Sequence, residues 1–323
     1  MRQVQFEKRY ESRLLEFEAL LAIKPGKKVE DAKHFLSLYE EICHLQAIAR
    51  GRQYSIALTD RLDRLVSAGH ARLYQRRDHY AGRVLNFIVS DFPRLLRKEY
   101  KVFWLAFFLF YGPLCAVMIA GWINNDMPIS IMGSEQAQEL EIMYEPSLRT
   151  VGEARESSSN WLMFGFYIRN NIGIAFRSFA SGVLLMVGSV FITVYNGLVI
   201  GAAGSHMVNV GFIETFYGFV VGHGSFELTG IIIACAAGLK LGIALLMPGQ
   251  LSRVESLKQN GRIAIQLMFG VFIMLLIAAF VEAFWSSNNV LPFLPKLIIG
   301  LFGWVLLAWY LLRAGKRYRL DIE

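Results

Sequence analysis

The sequence predicts an all-α protein, a polytopic α-helical integral membrane protein with an N-terminal cytoplasmic helical domain. The chain has 323 residues, of which 54% are hydrophobic and 18% charged, and its mean hydropathy is +0.40. This fraction of hydrophobic residues is larger than the core of a soluble protein requires. Residues 102–123 carry no charge and place Trp104 and Trp122 near their ends, as in a membrane span with an aromatic belt.

Basic residues concentrate before this first span. Residues 1–101 contain 20 Lys/Arg and 13 Asp/Glu, so they account for the whole net charge of +7. Apolar residues recur at helical spacing on both sides of a Pro25-Gly26 break and again further on, which predicts three packed helices. The apolar positions are Phe6, Tyr10, Leu14, Phe17, Leu21, Phe35, Leu38, Ile42, Leu45, Ala49, Leu62 and Leu65.

The end of this basic region, residues 83–101, alternates apolar and positively charged positions. Such an amphipathic helix fits the headgroup region of an anionic leaflet. The residues expected to contact the membrane surface are Arg94, Arg97, Lys98 and Lys101. We therefore predict a basic cytoplasmic domain at 1–101 ending in an interfacial helix, a transmembrane domain at 102–313, and a basic cytoplasmic tail at 314–323.

The transmembrane domain is predicted to hold five or six helices. Five apolar stretches cover 102–123, 178–203, 226–247, 263–285 and 291–312. The loop at 124–160 carries seven acidic residues against Arg149 and Arg155, so the positive-inside rule places it outside and the N-terminus in the cytoplasm. A sixth crossing at 205–222 would keep every basic loop and the C-terminus cytoplasmic. The alternative is five crossings with an external C-terminus.

Ionisable residues inside apolar stretches are candidates for function. His223 and Glu227 are four residues apart and share a helix face, where they could hydrogen-bond or ligate a cation together. Glu282, Lys240 and Glu214 complete the candidate polar cluster. Three alternatives stay open: a satisfied helix cap, an ion or proton pathway, and a catalytic or metal site. No catalytic residue is assigned and no metal or other cofactor is predicted, His223 and Glu227 being only a weak candidate pair.

Small and amide residues predict how the helices pack. Asn170, Asn171 and Asn196 need hydrogen-bond partners in hydrocarbon, so they are expected to clamp helices together or to line a polar cavity. Glycines four residues apart allow close helix approach. These pairs are Gly197 with Gly201, Gly218 with Gly222, and Gly238 with Gly242. Pro248 and Gly249 predict a turn.

Two segments carry a resemblance to a known family. They are YIRNNIGIAFRSFASGVLLMVGSVFITVYNGLVIGA at 167–202 and VGHGSFELTGIIIACAAGLKLG at 221–242. Together with DFPRLLRKEY at 91–100 they resemble the stage II sporulation protein M family. The resemblance implies a multi-pass protein of the bacterial plasma (inner) membrane, which in sporulating relatives anchors and recruits cell-wall hydrolases. For the wider family it implies AAA-type ATPases and von Willebrand factor A-like proteins as neighbours.

The first functional hypothesis is therefore a membrane scaffold that recruits cytoplasmic or envelope proteins to a cell-envelope complex. The alternatives are a transporter or channel for an ion or lipid, and a metal-dependent membrane hydrolase. The sequence leans against an enzyme, because it contains neither HExxH nor GxxxxGK[ST]. Expected partners are anionic lipid, the protein classes named above and a second copy of the chain, since glycine faces permit a homodimer. Nucleic acid is not expected, because acidic residues alternate with the basic ones.

Overall fold

A computed structural model describes residues 1–22, 32–74, 80–148, 157–288 and 291–316. These residues form helices, turns and bends, with no β-strand among them, so the all-α fold is confirmed. The chain divides into two compact units, Met1–Arg83 and Val84–Glu323. The Pro25-Gly26 break, residues 149–156 of the acidic loop and the tail from residue 317 lie outside the described part of the chain.

The first unit consists of α1 (Gln3–Ala22), α2 (Ala32–Gly51) and α3 (Ile56–Tyr74). The predicted apolar faces form its core, which confirms the helical spacing found in the sequence. The buried core residues are Phe6, Leu14, Phe17, Phe35, Leu38, Ile42, Leu45, Ala49, Leu58, Leu62 and Leu65. This unit thus has a hydrophobic core of its own, separate from the apolar helices that follow.

Charged pairs join the three helices of this unit on its surface. Arg61 of α3 donates to Glu18 at 2.9 Å and to Glu11 at 3.0 Å, both on α1. Asp63 of α3 accepts hydrogen bonds of 2.6 Å from Arg50 and from Gln46, both on α2. The bond from Arg50, followed by that from Gln46, lowers the pKa of Asp63 below its ordinary value.

The second unit begins within α4 (Tyr80–Asn86). A π-helical turn at Phe87–Asp91 leads into α5 (Phe92–Lys98) and α6 (Tyr100–Ile123). Two short helices occupy the predicted acidic loop. The later elements are, in chain order, α7 (Asp126–Met132), α8 (Ser134–Tyr144), a 3-10 turn (Pro146–Leu148), α9 (Ser157–Ala180), a 3-10 turn (Ser181–Val183), α10 (Val187–Asn209), α11 (Ile213–Leu246), α12 (Arg253–Val281), a π-helical turn (Glu282–Ser286) and α13 (Phe293–Arg313).

Five helices in the described residues are long and apolar enough to cross a membrane. They are α6, α10, α11, α12 with its π-helical turn, and α13. In α11, 78% of the most apolar stretch is buried, against 17% in α6 and 22% in α13. The central helix of the bundle is therefore α11, whereas α6 and α13 present apolar side chains outward, as a lipid-facing surface requires.

The glycine pair of α10 brings two backbones into contact. A Cβ added at Gly197 would lie 2.4 Å from the Phe110 carbonyl oxygen of α6, and one at Gly201 would lie 2.6 Å from the Leu114 carbonyl oxygen. Gly238 and Gly242 of α11 make similar close contacts, Gly238 with the Ser178 carbonyl oxygen near the end of α9 and Gly242 with Met186 just before α10. These glycine faces are therefore used for packing within the chain.

The structure corrects the predicted sixth crossing at residues 205–222. The first five of these residues complete α10, and Ile213 begins α11, which continues unbroken to Leu246. The chain turns at Gly211, whose φ of +83° is a conformation that glycine adopts without strain. A single span over 205–222 is therefore wrong, because a turn divides it.

Arginine side chains of α5 bind the C-terminal end of α13. Arg97 donates to the carbonyl oxygens of Leu311 and Ala314, each at 2.6 Å, and Arg94 donates to that of Gly315. Positive charge at the C-terminus of a helix satisfies its last carbonyls and its dipole. Arg94 and Arg97 thus have protein partners here, whereas Lys98 and Lys101 are exposed. The membrane-surface role of all four stays a prediction.

Candidate functional site

Three of the five predicted polar residues converge near one end of the bundle. One ligand atom each from His223, Glu227 and Glu282 lies within 4.8 Å of the others. His223 and Glu227 share a face of α11, with Nε2 and Oε2 3.6 Å apart, and Glu282 approaches from the π-helical turn that follows α12. The side chain of His223 is 5% exposed and that of Glu227 18% exposed, so the cluster is largely shielded from solvent.

The π-helical turn explains how Glu282 reaches α11. Glu282 and Ser286 are the first and last residues of this widened turn, and the side chains of both lie close to α11. Such turns often occur at functional sites. Gly222 makes room for the turn, because a Cβ there would lie 2.2 Å from the Trp285 ring. The glycine beside His223 thus allows close contact between α11 and the turn.

Further hydrogen bonds hold the cluster in place. Ser286 Oγ lies 3.1 Å from His223 Nδ1, and Asn171 of α9 donates to Glu282 Oε2 at 3.4 Å. The Phe219 ring packs edge-on against the imidazole of His223. Lys296 of α13 donates to the Ser286 carbonyl oxygen at 3.0 Å. Four elements of the bundle, α9, α11, the π-helical turn and α13, therefore meet at this site.

The other two predicted members lie elsewhere. Lys240 pairs with Glu99 at 2.9 Å, and it follows Glu227 by 13 residues of α11, which is roughly 20 Å along the helix. Glu214 is exposed in the first turn of α11, nine residues before His223. The five residues therefore do not form a single cluster.

The three asparagines have different partners. Asn171 joins α9 to Glu282, as the predicted interhelical clamp would, and Asn170 donates to the Asn171 side chain at 3.2 Å. Asn196 instead donates to the carbonyl oxygen of Ile192 in its own helix, at 2.7 Å. Pro248 and Gly249 lie in the turn between α11 and α12. Only Asn171 therefore belongs to the site.

An apolar cavity of about 340 Å³ lies between α5, α11, α12 and α13. Phe92, Phe226, Met274 and Leu307 contribute to its lining, together with Tyr310, whose hydroxyl donates to the Ile88 carbonyl. The lining of this cavity is almost entirely apolar, so it provides few groups that could form hydrogen bonds or take part in catalysis. The cluster at His223 is therefore the stronger candidate site.

Comparison with protein families matches residues 104–287 to the family described as Stage II sporulation protein M. This range covers more than half of the chain. The chain belongs to the stage II sporulation protein M family. Residues 4–75 match a separate family described as a domain of unknown function (DUF8413). Comparisons with curated proteins and with solved structures gave no match.

The stage II sporulation protein M region contains His223, Glu227, Glu282, Asn171 and Ser286, whereas Lys296 lies beyond the matched residues. Sequence reasoning missed Ser286 and Lys296. Lys296 could have been found, because it is the one charged residue of the apolar stretch at 291–312. Ser286 gives no comparable signal, since a serine at a helix end has many ordinary roles.

Proposed function

We propose that this protein is a scaffold of the bacterial plasma membrane that recruits soluble proteins to a cell-envelope complex. The observation that carries this proposal is the attachment of a separately packed three-helix unit to a bundle of the stage II sporulation protein M family. A unit with its own core can present a stable surface to a partner while the apolar helices hold it at the membrane.

The surface of the three-helix unit favours a protein partner over a purely structural role. Charges of both signs are arranged in pairs across the helices, such as Arg61 with Glu18 and Arg50 with Asp63. Large apolar side chains are also exposed, including Val4 and Ile56, which are 76% and 79% exposed. The combination fits protein contacts with a polar rim. By family resemblance, the partner is an AAA-type ATPase or a von Willebrand factor A-like protein in the cytoplasm.

Deletion of residues 1–80 tests the scaffold. Partners cross-linked in intact membranes are identified by mass spectrometry for the full chain and for the deletion variant. We expect the deletion variant to insert in the membrane and to lose specific soluble partners, with an altered envelope phenotype in cells. An unchanged partner set together with an unchanged phenotype would contradict the proposal.

The convergence of His223, Glu227 and Glu282 favours a second candidate function, transport of an ion. Ionisable side chains that meet inside a bundle are typical of ion and proton pathways. In proteoliposomes, Glu227→Gln with Glu282→Gln should abolish ion flux, while Glu214→Gln, at an exposed position of the same helix, should preserve it. Flux that is insensitive to the double substitution would exclude these carboxylates from a pathway.

A further inference from the structure

We propose that His223, Glu227 and Glu282 bind one divalent transition-metal ion of the Zn²⁺ class. This inference goes beyond the scaffold, since it needs no protein partner. The imidazole and the two carboxylates come from α11 and from the π-helical turn after α12, so a bound ion would link the central helix to its neighbour in the bundle.

The distances suit a single ion. In a tetrahedral site, ligand atoms about 2.1 Å from zinc lie about 3.4 Å from one another. His223 Nε2 and Glu227 Oε2 are 3.6 Å apart, and all three ligand atoms lie within 4.8 Å of one another. Bringing the Glu282 carboxylate into the same shell would shorten its separations from the other two ligand atoms by at most about 1.4 Å. One imidazole with two carboxylates leaves the fourth position for water or substrate.

Outer partners orient two of the ligands as in established metal sites. With its proton on Nδ1, His223 donates to Ser286 Oγ at 3.1 Å and presents the Nε2 lone pair toward Glu227. Asn171 donates to Glu282 Oε2 at 3.4 Å, which leaves the other oxygen of that carboxylate for the ion. Ser286 and Asn171 are both buried, so they restrict the motion of the groups they contact.

Charge also favours a cation at this position. Two carboxylates lie close together within helices that are long and apolar enough to span a membrane, where buried negative charge is expensive. A divalent ion would neutralise both while the imidazole ligates without charge. Metal binding would then offset the free-energy cost of burying these side chains.

Zinc binding by the purified protein tests the proposal. The full chain, purified in detergent without a histidine tag and stripped with a chelator, is titrated with Zn²⁺ against a chromophoric competitor. We expect one tightly bound equivalent. Glu282→Gln should lower the affinity more than about 100-fold, and Ser286→Ala, which keeps all three ligands, about 10- to 100-fold.

Two variants serve as controls. Glu99→Gln removes a partly buried carboxylate paired with Lys240, and Glu214→Gln removes an exposed one on α11, so both should bind zinc like the original chain. Thermal unfolding without metal checks that each variant is folded, and Ser286→Ala keeps the test decisive if Glu282→Gln does not fold. Absence of saturable zinc binding by the original chain, or equal affinity in all variants, would overturn the proposal.

Discussion

At the scale of single residues, glycines decide how closely the apolar helices approach. Gly197 and Gly201 contact backbone carbonyl oxygens of α6, whereas Gly112, on α6 itself, has nothing within 4 Å of an added Cβ. All three are glycines in apolar helices, but only Gly197 and Gly201 are spaced four residues apart. Close backbone contact makes a methyl group costly, because a carbonyl oxygen cannot move aside as a flexible side chain can.

Gly197→Ala and Gly201→Ala should therefore each destabilise the protein by about 1–3 kcal/mol through overpacking. Gly112→Ala is the matched control, and it should be neutral or slightly stabilising, because alanine is a better helix former than glycine. The measurement is the thermal unfolding midpoint in detergent. Equal midpoints for Gly112→Ala and Gly197→Ala would show that α6 and α10 do not touch at this glycine.

Because of Asp63, we expect the stability of the three-helix unit to depend on pH. Its pKa is lower in the folded protein than in the unfolded chain, because the folded carboxylate accepts hydrogen bonds from Arg50 and Gln46. The sign follows: the carboxylate contributes stability above its unfolded pKa, near 4, and this contribution disappears as the pH falls through its folded pKa. The unit should therefore lose stability below about pH 4.

Denaturant unfolding of residues 1–83, followed by circular dichroism, measures this effect. Asp63→Asn should be less stable than the original sequence at pH 7, and the difference should vanish at low pH, where Asp63 is protonated. Asp60→Asn, at an exposed position of the same helix, is the control. A difference between Asp63→Asn and the original that persists unchanged at low pH would rule out titration of this carboxylate as its cause.

At the scale of elements, segments that the sequence presents as separate are joined by specific contacts. The apolar face of the amphipathic segment before α6 is an example, because Phe92 and Leu96 are buried in the core formed with α12 and α13. Gly270 of α12 admits the Phe92 ring, which would lie 2.0 Å from a Cβ at that position. The apolar face of this segment thus packs against other helices of the protein. The periodicity of the sequence predicts the face but does not identify what it packs against.

The contact of Arg97 with the end of α13 gives a testable consequence. Arg97→Gln should destabilise the last turn of α13 by about 1–2 kcal/mol, because it removes a charge and donors from the helix C-terminus. Hydrogen exchange of residues 307–314 should become faster. Lys98→Gln removes the same charge from the next, exposed position and should leave exchange unchanged. Equal exchange in both variants would show that Arg97 does not cap α13.

At the scale of the whole molecule, the contact between α5 and α13 predicts whether the number of membrane crossings is even or odd. Arg97 lies just before α6 and binds carbonyls at the end of α13, so the first membrane helix begins on the side where the last one ends. We therefore predict an even number of crossings. Five described helices meet the apolar criterion. The predicted sixth crossing is α9, which has 24 residues, a length of about 36 Å, and packs against α11 and α12.

Reporters test this topology. Fusions at Met1 and after Glu323 should report the same side, while a tag inserted at Gly133 in the acidic region should report the opposite one. The charge distribution predicts that the shared side is the cytoplasm. Opposite locations for the two termini would contradict six crossings and restore the five-crossing alternative.

The sequence by itself determined the helical class, the N-terminal core, the main apolar helices and the polar residues of interest. Hydrophobic period and span length are local properties, and they are visible without a partner. Only the tertiary structure decided that Glu282 joins His223 and Glu227, that Lys240 pairs with Glu99, and that residues 205–222 turn instead of crossing. These outcomes depend on contacts between residues far apart in the chain and on the π-helical turn, which periodicity does not encode.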